Sequence, residues 1–327
     1  MHPHPMPARA LSRGTAALFV TVAAAVLALL LAGCGVRLDS APPAPLTPTA
    51  DERVRAATVA DVVAVRDLAH ATLTSDADVR GATATRLRAI VDQAGSQLTA
   101  LGGVYEGPAP TTSPTGATGS ATRAAPDPTV RAVVRRLGAA SAAARERLAA
   151  GPDAHLARLV AQVGASQDLN ARALAKAAHV SAPTSASTRA HVPATLPAGA
   201  RATVAATIVE DEDAGGYLLE VVAARTGGAP RAQAAARATV HRTRAEDWAV
   251  AAGVSGTDGD PRRTAYHLPA KAVARAVESR LTVAYAALLD TLDPKGRAAV
   301  ADLLTDSARA AVDAGAPITA LPGGAPK

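Results

Sequence analysis

From residue 50 onward the apolar residues of this chain recur at three- and four-residue spacing, and no alternation of period two runs long enough to make a strand. Val54, Thr58, Val62, Val65, Ala69 and Leu73 form a first stripe. Ala84, Leu87, Ile90, Val91, Ala94, Leu98 and Leu101 form a second, stopped by Gly102-Gly103. A third runs from Val130 through Val133, Val134, Leu137, Ala140 and Ala144 to Leu148, ending at Gly151-Pro152. Leu156, Leu159, Val160, Val163, Asn170, Leu174 and Ala177 make a fourth. A second helical set is expected at 201–225, 229–252, 269–291 and 294–314. There Asp293 suits an N-cap and Pro294 the first helical position. The fold class that follows is all-α, as two helical bundles.

Between the helical segments the composition shifts. Residues 103–128 are rich in Gly, Pro, Ser and Thr and read as a disordered loop inside an N-terminal helical domain, 50–180. The stretch 181–200 reads as a linker, and 201–323 as a C-terminal bundle. The core material is unusual: Met1, Met6 and Phe19 are the only Met and Phe residues, and all precede residue 34. Burial therefore rests on Ala, Val, Leu and Ile. Alanine favours helix but buries little area, so close helix approach must supply the contacts.

Residues 1–33 have the form of a secretory signal peptide. Arg9 and Arg13 precede a run without charge from Thr15 to Leu31, and small residues follow. Leu31-Ala32-Gly33-Cys34 also matches a bacterial lipobox, in which Cys34 takes a diacylglycerol thioether and an acyl chain such as palmitate. A transmembrane anchor is the competing reading, but the run is at the short end of what spans a bilayer. Residues 34–49 are proline-rich and read as a stiff tether, on the order of 45 Å long if fully extended. The expected location is the outer face of the cytoplasmic membrane, with the membrane itself as partner through Cys34.

Charge and aromatic content narrow the partners. Losing Arg9 and Arg13 with the signal takes the net charge from +6 to +4, which is modest for 327 residues. Aromatics make up 2% of the chain, too few for a base-stacking surface, so nucleic acid is not expected. A mildly basic exported body suits an envelope protein or an anionic wall polymer.

Several segments together resemble a known family. They are Cys34-Gly35-Val36-Arg37-Leu38-Asp39; Ile208 to Glu220, with Glu210-Asp211-Glu212-Asp213-Ala214-Gly215-Gly216; His241 to Trp248; Val283 to Leu289; and Ile318 to Gly323. They are similar to lipoproteins of high-GC bacteria whose C-terminal domain is described as ferritin-like and has no known activity. The resemblance implies a four-helix bundle over 201–323 and no particular reaction.

A ferritin-like di-metal site takes a Glu from two helices and a Glu-x-x-His from each of the other two. Asp211, Glu212 and Glu278 could supply carboxylates. His241 and Glu246 stand in reversed order, five apart and on different faces, and 294–314 holds Asp302 and Asp306 but no His. Both Glu-x-x-His elements are missing, so no metal and no cofactor is expected. The histidines make no zinc-hydrolase spacing and no Gly-x-Ser-x-Gly elbow is present, so no catalytic residue is assigned.

The four acids 210–213 read first as a solvated patch paired with Arg231, Arg237, Arg242 or Arg244, and second as a buried carboxylate held by an arginine. Ser166, Gln167, Asp168 and Asn170 read as a bundle's solvated side or register marker, with a groove lining as the sharper alternative. Trp248, Tyr217, Tyr266 and Tyr285 are expected to anchor the C-terminal core or the tail at Leu321-Pro322. The expected role is non-enzymatic binding or scaffolding. A degenerate ferritin-like metal protein or enzyme and a carrier of an apolar ligand are the alternatives.

Overall fold

The computed structural model describes residues 48–75, 79–104, 127–183, 190–267, 271 and 273–324. The expected signal peptide and lipobox with Cys34, nearly all of the expected tether and the body of the expected 103–128 loop lie outside the described residues. Eight α-helices are present among the described residues, and no strand. They are α1 (Ala50–Ser75), α2 (Gly81–Ala100), α3 (Val130–Arg147), α4 (Ala154–Ala177), α5 (Ala202–Arg225), α6 (Gly228–Ala251), α7 (Val273–Leu289) and α8 (Pro294–Asp313). The all-α reading holds.

The helix ends follow the punctuation in the sequence. At the end of α2 the Gly103 amide reaches back to the Leu98 carbonyl at 2.8 Å, with Gly102 in the left-handed region that a side chain would disfavour. The carboxylate of Asp153 accepts the Leu156 amide at 2.9 Å and caps α4. Asp293 does precede Pro294 at the start of α8, but its carboxylate makes no cap bond. Its own amide instead donates to the Ala198 carbonyl at 2.8 Å, tying α8 to the preceding stretch.

In the first half, α1 packs on α2 and α3, and both α2 and α3 pack on α4, closing a four-helix ring. In the second half, α5 packs on α6 and α7, and α7 on α8. The gap from α6 to α8 is spanned by long arginine side chains, described below. Pro48–Lys327 forms one compact unit, and α4 also packs against α7 and α8. One apolar cluster accordingly joins Val54, Leu98 and Val160 of the first half to Ile208, Trp248 and Leu288 of the second. From the 181–200 stretch, Val192, Leu196 and Ala200 pack against this shared cluster.

Helix α4 departs most from its sequence reading. Every residue from Leu159 to Ala171 is buried, so over this stretch the helix has no solvated face, and only its ends expose His155 and Lys176. Ser166, Gln167, Asp168 and Asn170 are each 3% exposed or less, which corrects their reading as a solvated side. A helix buried all round is normally apolar throughout. Here part of the buried polar surface is met by partners: Arg309 forks both oxygens of Asp168 at 2.6 and 2.8 Å, and the C-terminal tail takes other groups, while Gln167 Oε1 and Asn170 Oδ1 are buried without a hydrogen bond.

Small residues let these seams close. A Cβ added at Gly164 of α4 would lie 2.9 Å from the Cβ of Ala144 on α3. One added at Gly215 of α5 would lie 2.9 Å from Val277 and 3.3 Å from the imidazole of His241. Gly215 therefore makes room for the group at the centre of the second bundle.

Candidate functional site

The acids 210–213 sit on successive positions of α5, which sends them in different directions. Asp211, Glu212 and Asp213 are 6%, 0% and 5% exposed, so the solvated-patch reading is overturned. Each finds a partner. Asp211 pairs with Arg280 at 2.7 Å, and Glu210 with Arg263 at 2.7 Å. Asp213 binds Arg242 and accepts the Tyr266 hydroxyl at 2.8 Å. Of the arginines expected as partners, Arg242 meets Asp213, Arg244 stands 4.0 Å from Glu212 while bonding Asp306, Arg237 turns to other acids, and Arg231 is exposed.

Glu212 points into the bundle. Its Oε2 lies 2.5 Å from Nδ1 of His241, and its Oε1 accepts the hydroxyl of Tyr285. On the far edge of the same imidazole, Nε2 lies 3.0 Å from Oε1 of Glu278. Glu278 is in turn forked by Arg237 at 2.6 and 2.8 Å. Arg237 reaches on to Asp306 of α8 at 2.7 Å, and Arg244 meets the same carboxylate oxygen at 2.7 Å. The second Arg244 nitrogen, Nη1, stands 4.0 Å from Glu212 and is buried without a hydrogen bond. Tyr285 receives the Trp248 ring N–H at 3.3 Å, and both rings are fully buried.

One network thus links α5, α6, α7 and α8. Three acids (Glu212, Glu278 and Asp306) face two guanidiniums and one imidazole. The sum is zero when His241 is protonated and −1 when it is not. In a site this dry, charge balance decides the protonation state. Burial opposes the imidazolium, but the carboxylates of Glu212 and Glu278 outweigh it and hold the His241 pKa above its ordinary value. Burial likewise works against ionised Glu278 and Asp306, yet their arginine partners hold both below the usual carboxylate range. Asp211 goes the other way: burial raises it, and Arg280 only partly offsets this.

The expected consequence for pH has a definite sign. His241 gains affinity for its proton on folding. Its contribution is full below the ordinary imidazole pKa and is lost as pH rises through the higher native value. Glu278 and Asp306 contribute above their ordinary values and lose that as pH falls through the lower native ones. Urea unfolding across pH 4–10 should therefore show a weakening alkaline limb that His241→Gln flattens; an unchanged limb would place that titration elsewhere.

Asp211, Glu212 and Glu278 were the sequence candidates. The structure joins Glu212 and Glu278 through His241 and leaves Asp211 outside, on Arg280. His241, Tyr285 and Asp306 were missed as members, while Arg237 and Arg244 were named only as partners of the acids 210–213. The spacing argument did place His241 and Glu246 on different faces, and Glu246 faces out toward Ser255 and Arg262. The available signal was Arg237, His241, Arg244 and Trp248 at three- and four-residue steps along α6, one polar stripe facing inward.

A ferritin-like di-metal centre does not fit these residues. Its carboxylates must converge on the ions from one side, together with free imidazole nitrogens. Here Glu212 and Glu278 lie on opposite edges of one ring, both nitrogens of that ring are engaged, and the guanidiniums of Arg237 and Arg244 bond Glu278 and Asp306. Among the described residues no group of three or more His, Cys, Asp or Glu is placed to hold a metal ion.

Comparison with known families places the network within a recognised domain. Residues 203–326 match the family model described as Domain of unknown function (DUF4439). The match covers α5 to α8, but for Ala202, and the tail beyond them, while α1 to α4 lie outside it. No curated protein and no solved structure matches the chain.

Proposed function

We propose that the chain is an exported lipoprotein, held by Cys34 on the outer face of the cytoplasmic membrane, whose helical body is a non-enzymatic binding or scaffolding protein. The matched domain is read here as a ferritin-like bundle that has exchanged metal ligation for an internal ion-pair network. The observation that supports this is the closure of the polar centre. Glu212, Glu278 and Asp306 are each engaged by arginine, histidine or tyrosine of the same domain, which leaves none of these three poised toward a substrate.

A mildly basic body on a proline-rich spacer suits an envelope protein or an anionic wall polymer as partner. The apolar-carrier alternative has its best foothold in a cavity of about 680 Å3 between α3, α4 and α8, lined by Ala and Gly. Its walls also carry the Arg145–Asp302 and Arg309–Asp168 pairs, which suit a polar mouth better than an acyl chain.

Two measurements test the reading. Labelled palmitate fed to an expressing high-GC bacterium should enter the full chain and be lost with Cys34→Ala; an unlabelled, unprocessed chain would sink the anchor. Body refolded with iron or manganese should emerge from gel filtration without stoichiometric metal, and retention of one or two ions per chain would favour the metal-protein alternative.

A further inference from the structure

Beyond α8 the chain turns at Gly315 and runs back along the first bundle as residues 316–324. The contacts it makes there are of one kind. The Ile318 carbonyl accepts Gln93 Nε2 at 2.8 Å, and the Thr319 carbonyl accepts the Ser166 hydroxyl at 2.9 Å. The Ala320 carbonyl accepts Gln97 Nε2 at 3.0 Å, and the Pro322 carbonyl accepts Gln162 Nε2 at 3.0 Å. Within 318–322 the remaining carbonyl, of Leu321, closes a turn with the Gly324 amide at 3.0 Å. Gln93 is itself oriented: Asn170 Nδ2 donates to its Oε1 at 2.7 Å, which leaves its NH2 to face the tail.

Four donors on α2 and α4 thus read main-chain oxygens, which every peptide carries. Pro322 is buried, Leu321 packs on the shared core, and Ala316, Ile318, Ala320 and Gly323 are half-buried, while Pro317 and Thr319 are exposed. Pro317 and Pro322 fix φ and bring no amide hydrogen, so the segment is pre-set in shape and has fewer donors to satisfy. A C-terminal segment outside every helix, held by its carbonyls and one apolar plug, belongs to the part of a fold that opens locally before the helices do. When it opens, Gln97, Gln162 and Ser166 need acceptors again, and an extended peptide supplies them in the same geometry.

We propose that Gln93, Gln97, Gln162 and Ser166 form a peptide-binding seat whose resident ligand is the chain's own tail, and that it accepts in exchange an extended partner segment carrying an apolar residue followed by proline. The proposal deepens the binding reading above and rests on it. Its test is separable, because lipid attachment and metal content do not depend on the tail.

The test uses the full chain with a protease site built in at Gly315–Ala316, cut after folding. A fluorescent peptide of residues 316–324 is then added. Expected is saturable incorporation with displacement of the cut tail, weakened about tenfold or more by Gln97→Leu with Ser166→Ala. A peptide with glycine in place of Leu321 and Pro322 should compete poorly. Failure of the peptide to enter a nicked chain that keeps its helical signal overturns the proposal, as does entry that ignores the Gln97 and Ser166 changes. Hydrogen exchange on the uncut chain is the second measurement. Tail amides should exchange well before those of α4, and exchange only together with α4 makes the tail a fixed part of the core.

Discussion

Arg237→Met is expected to cost the folded chain about 3 kcal/mol, the lower end of what losing one partner of a buried pair does. The lower end applies because the Arg237 side chain keeps 21% of its exposure, so water can relieve part of the loss. The reason for a large effect lies in what stays behind. Glu278, 2% exposed at its side chain, would keep only His241, and Asp306 would keep only Arg244. Methionine fills the volume and covers the apolar stem, so packing loss is minimised and the orphaned carboxylate is what is measured.

The proof lies in a second substitution. Adding Glu278→Gln to Arg237→Met should return about 1 kcal/mol or more, since a neutral amide no longer carries an uncompensated charge. Midpoints of urea unfolding at neutral pH would read both values, provided the slopes agree. A single-variant loss below about 1 kcal/mol would mean that the network is wetter than its burial implies.

That experiment also marks where sequence reasoning reached and where it stopped. Helix boundaries were legible because Gly102-Gly103, Gly151-Pro152 and Asp293-Pro294 act locally, through φ and missing donors that no tertiary contact can restore. What α4 touches was not local. Its stripe Leu156, Leu159, Val160 and Val163 reads as one amphipathic face, but the helix serves both halves and the tail as well. Gln162, Ser166 and Asn170 therefore lie inside although their composition says outside.

The acids 210–213 misled for the same reason. Charged residues are rarely buried without partners. The partners here stand 29 to 73 positions away in sequence, and their pairing needs the bundle to exist first. Glu212 and Glu278 could be singled out from their helix faces. The imidazole that joins them could not, because His241 was weighed as a metal ligand and set aside when its motif failed.

The second large effect concerns the only tryptophan. Trp248→Ala should destabilise the chain by about 3–5 kcal/mol, the usual range for emptying a fully buried large aromatic site. Two features favour a value well inside that range. Trp248 is fully buried in a core cluster of Ala, Val, Leu, Ile and Tyr, and the chain has no Phe or Met after residue 19, so no methionine is at hand to swing into the hole. Its ring also rests against Tyr285, centroid to centroid 6.5 Å, and donates to that hydroxyl. Tyr285 in turn donates to Glu212, so a cavity at 248 loosens the residue that orients one end of the ion network. Tyr285→Phe separates the two contributions: it keeps the ring and removes only the hydroxyl, and should cost about 1–3 kcal/mol by leaving Glu212 one donor short. Differential scanning calorimetry of both variants would decide the order. If Tyr285→Phe proved the more damaging of the two, the network rather than the apolar core would be what holds these four helices in register.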